Sequence, residues 1–166
     1  FAGLAAVAVN GLTTLLVVQP EPARSERRIG TVTPVEFAQM AIESPTSYFL
    51  VDLRVLGDET ERVPGALAVA ADDSGAAFVA DLPVTRTLIV YGNGEIGDLP
   101  ETVKTFEGDV LILEGGYDAF VAQILTAPEL GETATPAQIE DYQLRSALHA
   151  HFTGSAIQSA PPPKPG

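Results

Sequence analysis

The strongest constraint on how this chain can fold is the run Tyr48-Phe49-Leu50-Val51, which meets Asp52-Leu53-Arg54 without a polar transition. An unbroken apolar run this short, bounded by turn formers, predicts a strand buried on both faces, although a piece of buried helix has the same pattern. Two later runs match it, Thr87-Leu88-Ile89-Val90-Tyr91 and Val110-Leu111-Ile112-Leu113. Helical segments fall between them, so the alternation predicts an α/β fold with a central, mainly parallel sheet. The acid and base after Val51 then sit where a strand leaves that sheet, a common location for ligand sites in open α/β folds.

Local signals place the other elements. Thr33-Pro34-Val35-Glu36 combines an N-cap, a proline at the first helical position and a capping-box acid; the helix it opens ends at Ser44-Pro45. After the Tyr48 strand comes a polar loop from Gly57 to Arg62. Ala66 to Ala70 predicts a short strand and Ala76 to Ala80 a short helix or turn. Leu99-Pro100-Glu101 opens a helix through Phe106, and Tyr117 to Leu125 predicts another with Phe120, Val121 and Ile124 inward. Thr135-Pro136-Ala137-Gln138 repeats the capping box and starts a helix ending near Gly154, with Leu144, Leu148 and Phe152 as a stripe.

Several of these stretches, in this order, resemble the rhodanese-like domains. Leu50-Val51-Asp52-Leu53-Arg54 is similar to the family's "VDvR" strand, and Glu61-Arg62-Val63-Pro64-Gly65-Ala66 to its "GHIPGA" turn, with Arg62 in place of His. Leu88-Ile89-Val90-Tyr91 is similar to the strand leading into the active loop. Leu113-Glu114-Gly115-Gly116-Tyr117-Asp118-Ala119-Phe120 is similar to "LxGGxxaW", with Phe120 in place of Trp. The resemblance covers about Gly30 to Gln123 and implies a three-layer sandwich around the sheet. It does not bring the family's chemistry with it.

In active members that strand ends in a cysteine whose persulfide is cradled by the following loop. Here the loop is Gly92-Asn93-Gly94-Glu95-Ile96-Gly97-Asp98, with Gly92 in the cysteine's place, and the chain has no cysteine anywhere. Glycine supplies no nucleophile, so sulfur transfer and Cys-dependent phosphatase chemistry are excluded. Glu95 and Asp98 put negative charge where an anion would sit, and the loop has no Lys or Arg. Three glycines allow an anion nest, but without a cation a plain turn is the better expectation. Asp52 and Arg54 are expected to pair beneath the loop and hold strand ends in place. No constellation of nucleophile and base is visible through Asp52, Arg54 or Glu95.

Composition removes other classes. A net charge of -13 repels a phosphate backbone, so nucleic acid is not an expected partner. The absence of cysteine excludes disulfides and thiolate metal sites. His149 and His151 are two apart on a predicted helix and face different ways, a poor metal pair. No metal or cofactor is expected.

Phe1 to Val18 carries no charge, and as a helix it would be about 27 Å long, close to the thickness of a bilayer core. The expectation is a transmembrane helix, packed on a neighbour through Gly3, Asn10 and Gly11. A retained signal segment is the rival reading. The chain begins at Phe, so a preceding piece is expected. Residues 19–29 then form a linker, 30–127 the rhodanese-like domain, 128–154 a C-terminal helical extension, and 155–166 a proline-rich tail. Arg24, Arg27 and Arg28 favour a cytoplasmic domain without settling the side. The resulting expectation is a single-pass, non-catalytic scaffold subunit of a membrane protein complex. Its partners would be other membrane subunits, met through the 1–18 helix and the 135–154 helix. The alternative is a sensor holding a small molecule or anion in the 92–98 loop.

Overall fold

The computed structural model describes residues 27–54, 61–70 and 72–156. Five strands form one sheet in the order β1-β5-β4-β2-β3: β1 (Ile29–Val32), β2 (Tyr48–Asp52), β3 (Leu67–Ala68), β4 (Thr87–Tyr91) and β5 (Val110–Leu113). Every pairing is parallel. The carboxyl ends of all the strands therefore lie along one edge, which brings Asp52 level with Tyr91.

The three apolar runs form β2, β4 and β5. In β4 the residues Leu88, Ile89, Val90 and Tyr91 are all buried, as a strand covered on both faces requires. One face carries Val32, Leu50, Ile89, Tyr91 and Leu113, packed against Phe37 of α1 (Pro34–Glu43), Phe120 of α4 (Gly116–Phe120) and Leu148 of α5 (Pro136–Thr153). The other carries Val51, Leu88, Val90 and Val110 against Val79 of α2 (Asp73–Ala80), Val103 of α3 (Glu101–Lys104) and Phe106.

Both predicted capping boxes are formed. The Thr33 hydroxyl accepts from the Glu36 N–H while the Glu36 carboxylate accepts from the Thr33 N–H; Thr135 and Gln138 repeat the exchange. Helix α5 ends at Gly154 in the left-handed region, with φ of 70°.

The elements that depart from expectation do so for local reasons. Ile29, expected in the linker, opens β1, because Asp109 takes both the Arg28 backbone N–H and its guanidinium and so fixes the strand beside β5. Helix α2 starts earlier than the sequence predicts, at Asp73, because the Asp72 carboxylate accepts from the Ser74 and Gly75 N–H groups. Helix α3 stops at Lys104 rather than Phe106, and the Arg27 guanidinium takes the Val103 and Lys104 carbonyls. The helix expected over Tyr117 to Leu125 becomes α4 followed by a π-helical turn, Val121–Leu125, closed by the Thr126 N–H on the Val121 carbonyl. The Ile124 carbonyl finds His149 Nδ1 at 3.0 Å.

The membrane expectations need correction. Among the described residues no helix is long and apolar enough to cross a membrane. The Phe1–Val18 span, with Gly3, Asn10 and Gly11, lies outside the described residues. A single-pass location and membrane-subunit partners reached through that helix are therefore withdrawn. The 135–154 helix, which the sequence allows to pack on the domain or on another subunit, packs on the domain. Leu148 is buried in this chain's own core, and the Phe152 ring meets Phe120 edge-on at 5.3 Å.

Gly75 offers a test of how tightly α2 is seated. A Cβ there would lie 1.9 Å from the Ala70 carbonyl oxygen, and backbone cannot yield as a side chain can, whereas a Cβ at Gly97 meets nothing within 4 Å. Gly75→Ala should lose about 1–3 kcal/mol by forcing that shift, and Gly97→Ala should stay within about 0.5 kcal/mol of the parent. Urea denaturation midpoints compare the two; equal midpoints would show that α2 is not held in this way.

Candidate functional site

Asp52 ends β2 with its side chain fully buried, and β4 places Tyr91 beside it in register. One carboxylate oxygen, Oδ1, accepts from the Arg54 backbone N–H and from Arg54 Nε, each at 3.0 Å. The other, Oδ2, accepts from Arg54 Nη2 and from the Tyr91 hydroxyl, each at 2.8 Å. The pairing predicted from sequence is present, and it is a two-pronged, charge-assisted one.

From that carboxylate the contacts spread outward. Arg54 Nη2 also donates to the Glu61 carbonyl at 2.7 Å, and its guanidinium carbon lies 3.9 Å from the Tyr117 ring centroid and 5.5 Å from that of Tyr91. The Tyr91 hydroxyl accepts from the Val63 N–H at 3.2 Å. The two tyrosine rings are stacked with centroids 6.3 Å apart. Arg62, at the position where the resemblance puts a histidine, approaches Asp52 only to 3.9 Å.

Burial by itself would push the Asp52 carboxyl upward. The Arg54 side-chain and backbone hydrogen bonds, the Tyr91 hydroxyl and the guanidinium charge outweigh it, and the group is held below the usual carboxylate range. Tyr91 moves the other way: burial, and then its bond to the Asp52 carboxylate, push the phenol well above its ordinary range. At neutral pH the cluster is thus a carboxylate, a guanidinium and a neutral phenol.

Loop 92–98 lies next to this cluster and is closed onto the start of α4. The Tyr117 N–H donates to the Gly92 carbonyl and the Asp118 N–H to the Asn93 carbonyl, both at 2.9 Å. Glu95 Oε1 accepts from the Gly115 N–H at 2.9 Å. A Cβ on Gly116 would lie 2.6 Å from the Gly92 and Gly94 carbonyl oxygens and 2.8 Å from that of Asn93. Gly116, with φ of 59°, is therefore required by the loop packed over it, while Gly115, with φ of 65°, is required by its left-handed backbone and the Ala119 side chain beside it. These three carbonyls face the α4 backbone, and the Glu95 carboxylate occupies one of its donors.

At Gly92 itself, a Cβ would point at Ile96, 3.4 Å from Cγ1 and 3.8 Å from Cδ1. Ile96 packs against the core on the α2–α3 side of the sheet. Among the described residues no group of three His, Cys, Asp or Glu side chains could hold a metal ion.

Of the residues singled out from sequence, Asp52 and Arg54 meet each other, and Glu95 reaches Gly115. Asn93, Gly97 and Asp98 are exposed parts of the loop. Sequence reasoning missed Tyr91, Tyr117 and the backbone of Glu61 and Val63. Tyr91 follows only once the register is known, because the pairing of β2 with β4 is what sets its phenol level with Asp52.

Asp52 is the group to remove. Asp52→Ala should cost about 3–5 kcal/mol, since it strands a buried guanidinium. The linkage sign follows from the depressed pKa: the contribution is complete above about pH 4 and is lost as pH falls through the folded-state value. Asp52→Asn should accordingly show a shallower loss of stability than the parent below about pH 4. Unchanged denaturation midpoints for Asp52→Ala at pH 7 would remove Asp52 as the keystone.

No protein-family model matches the sequence, and no curated protein matches it. Similar solved structures include a protein from Bacillus halodurans, at 16% identity and a TM-score of 0.46 over 55% of this chain and 71% of that one. A second, from Rhodopseudomonas palustris, is described as of unknown function and a possible tyrosine phosphatase; it has 17% identity and a TM-score of 0.43 over 57% and 80% of the two chains. A third, from Anabaena sp., has 17% identity and a TM-score of 0.48 over 72% and 93%. These chains are similar to this one as small α/β arrangements, and nothing about its activity follows from them.

Proposed function

We propose that this chain is a rhodanese-like domain without catalytic function, which acts as an accessory or scaffold component of a larger assembly. The fold-level reading is supported by the four motifs that carry the resemblance. "VDvR" ends β2, the turn 61–66 leads into β3, Leu88–Tyr91 enters the glycine loop, and the glycine pair follows β5. Each falls at the carboxyl edge of a parallel sheet.

The observation that carries the non-catalytic reading is the state of position 92. Gly92 offers no nucleophile. The neighbouring carbonyls of 92 and 93, with the Glu95 carboxylate, take the Tyr117, Asp118 and Gly115 N–H groups that could otherwise stabilise an anion. Asp52 and Arg54 bond to each other and serve the architecture. What such a domain retains is its shape and its surface, on which Leu67 and Phe78 are exposed beside the β3 edge.

The unmodified protein should form no thiocyanate from thiosulfate and cyanide. Gly92→Cys should remain inactive too, because loop 92–98 supplies no Lys or Arg to lower the thiol's pKa and the Arg54 guanidinium is committed to Asp52. Thiocyanate production by either protein above the uncatalysed rate would overturn the non-catalytic reading. For the accessory role, native-state sizing from the source should find the chain in a body larger than itself; a native mass equal to the free chain would sink that half of the proposal.

A further inference from the structure

The segment 128–134 and the first half of α5 enclose a cavity of about 290 Å³. Its helical wall is Gln138, Asp141, Tyr142 and Arg145, and the spacing of three, four and seven residues puts all of them on one face. The loop contributes Glu129 and Leu130 to the opposite wall. The volume is at the small end of sites that take small molecules, roughly 300–1,000 Å³.

The charges here are not settled among themselves. Arg145 Nη1 stands 3.7 Å from Asp141 Oδ2, too far for a hydrogen bond. Arg145 Nε is shielded from solvent and has no hydrogen-bond partner among the described residues. A guanidinium has five donors, and desolvating one without a partner is costly. The cavity lining carries two carboxylates, Glu129 and Asp141, so it is net negative around a single cation. A simple anion would meet Arg145 but be opposed by both acids. A simple cation would be drawn to the acids but opposed by Arg145, whose donors would stay idle.

From this arrangement we propose that the cavity binds a small dipolar molecule of the amino-acid class. Its carboxylate pairs with Arg145, its ammonium lies against Asp141 and Glu129, and its side chain rests on Leu130 and the Tyr142 ring. The inference is independent of the reading at position 92, since the two regions share no residue.

Titration of the full chain by heteronuclear NMR or calorimetry tests it, with L-lysine and L-norleucine as dipolar probes and hexanoate and pentylamine as single-charge controls. At least one amino acid should bind saturably at millimolar concentration, and more tightly than either control. Arg145→Gln should weaken that binding about tenfold or more, as loss of a charge-assisted hydrogen bond implies. Asp141→Asn, a milder change on an exposed helix position, should weaken it as well, and circular dichroism confirms that both variants fold. Absence of binding by both amino acids would overturn the proposal. So would equal or tighter binding of hexanoate or pentylamine, or affinities unchanged in both variants.

Discussion

An ionised carboxylate with no exposure to water has to be surrounded by donors, and Asp52 is such a group. Its oxygens accept from the Arg54 backbone and guanidinium and from the Tyr91 hydroxyl. Through Arg54 the same charge reaches the Glu61 carbonyl and the Tyr117 ring, and through Tyr91 it reaches the Val63 N–H. The end of β2, the end of β4, the turn before β3 and the start of α4 are thereby fixed by one residue. A buried ion pair is not a large net source of stability, because desolvating both groups offsets most of their attraction. Its effect lies in specificity of geometry: any displacement of these loops leaves a charge unpaired in the interior.

That geometry commits the polar groups of the cluster to one another. Catalysis at the end of a strand needs a nucleophile or acid with unused capacity and donors aimed at a developing charge. Here the acid and the base bond to each other, the phenol is held neutral, and the loop turns carbonyls toward α4. Glu95 completes the closure by taking the Gly115 N–H.

What could be read from the sequence was whatever is decided locally. The runs at 48, 87 and 110 are strands because burial on both faces leaves no polar alternation to find. The Thr-Pro-x-Glu and Thr-Pro-x-Gln starts are helices because the box closes within four residues. Strand β1 was not legible: Ile29-Gly30-Thr31-Val32 has no apolar run, and it is held by Asp109, about eighty residues away. Nor were Tyr91 and Tyr117 as partners of Asp52 and Arg54, since that depends on register between strands. The apolar stretch at 1–18 lies outside the described residues, and the stripe on the 135–154 helix divides, with Leu148 buried and Phe152 against Phe120 while Leu144 is exposed.

The distribution of positive charge ties these points together. The chain carries 9 Lys and Arg against 22 Asp and Glu, and most of the described cations are engaged within the fold. Arg27 closes the end of α3, Arg28 fixes β1 through Asp109, Lys104 pairs with Glu101, and Arg86 lies 4.9 Å from the Phe49 ring centroid. Arg54 is buried on Asp52. With its cations used for architecture, the molecule presents an acidic surface that disfavours anions almost everywhere, including the 92–98 loop. Arg62 and Arg145 depart from this pattern, each standing beyond hydrogen-bond distance of its carboxylate with an Nε that has no partner, and Arg145 lines the cavity beside α5. In a field this negative, a guanidinium flanked by acids selects for a ligand that carries its own positive charge along with the carboxylate, which is why a dipolar molecule fits that cavity better than an anion would.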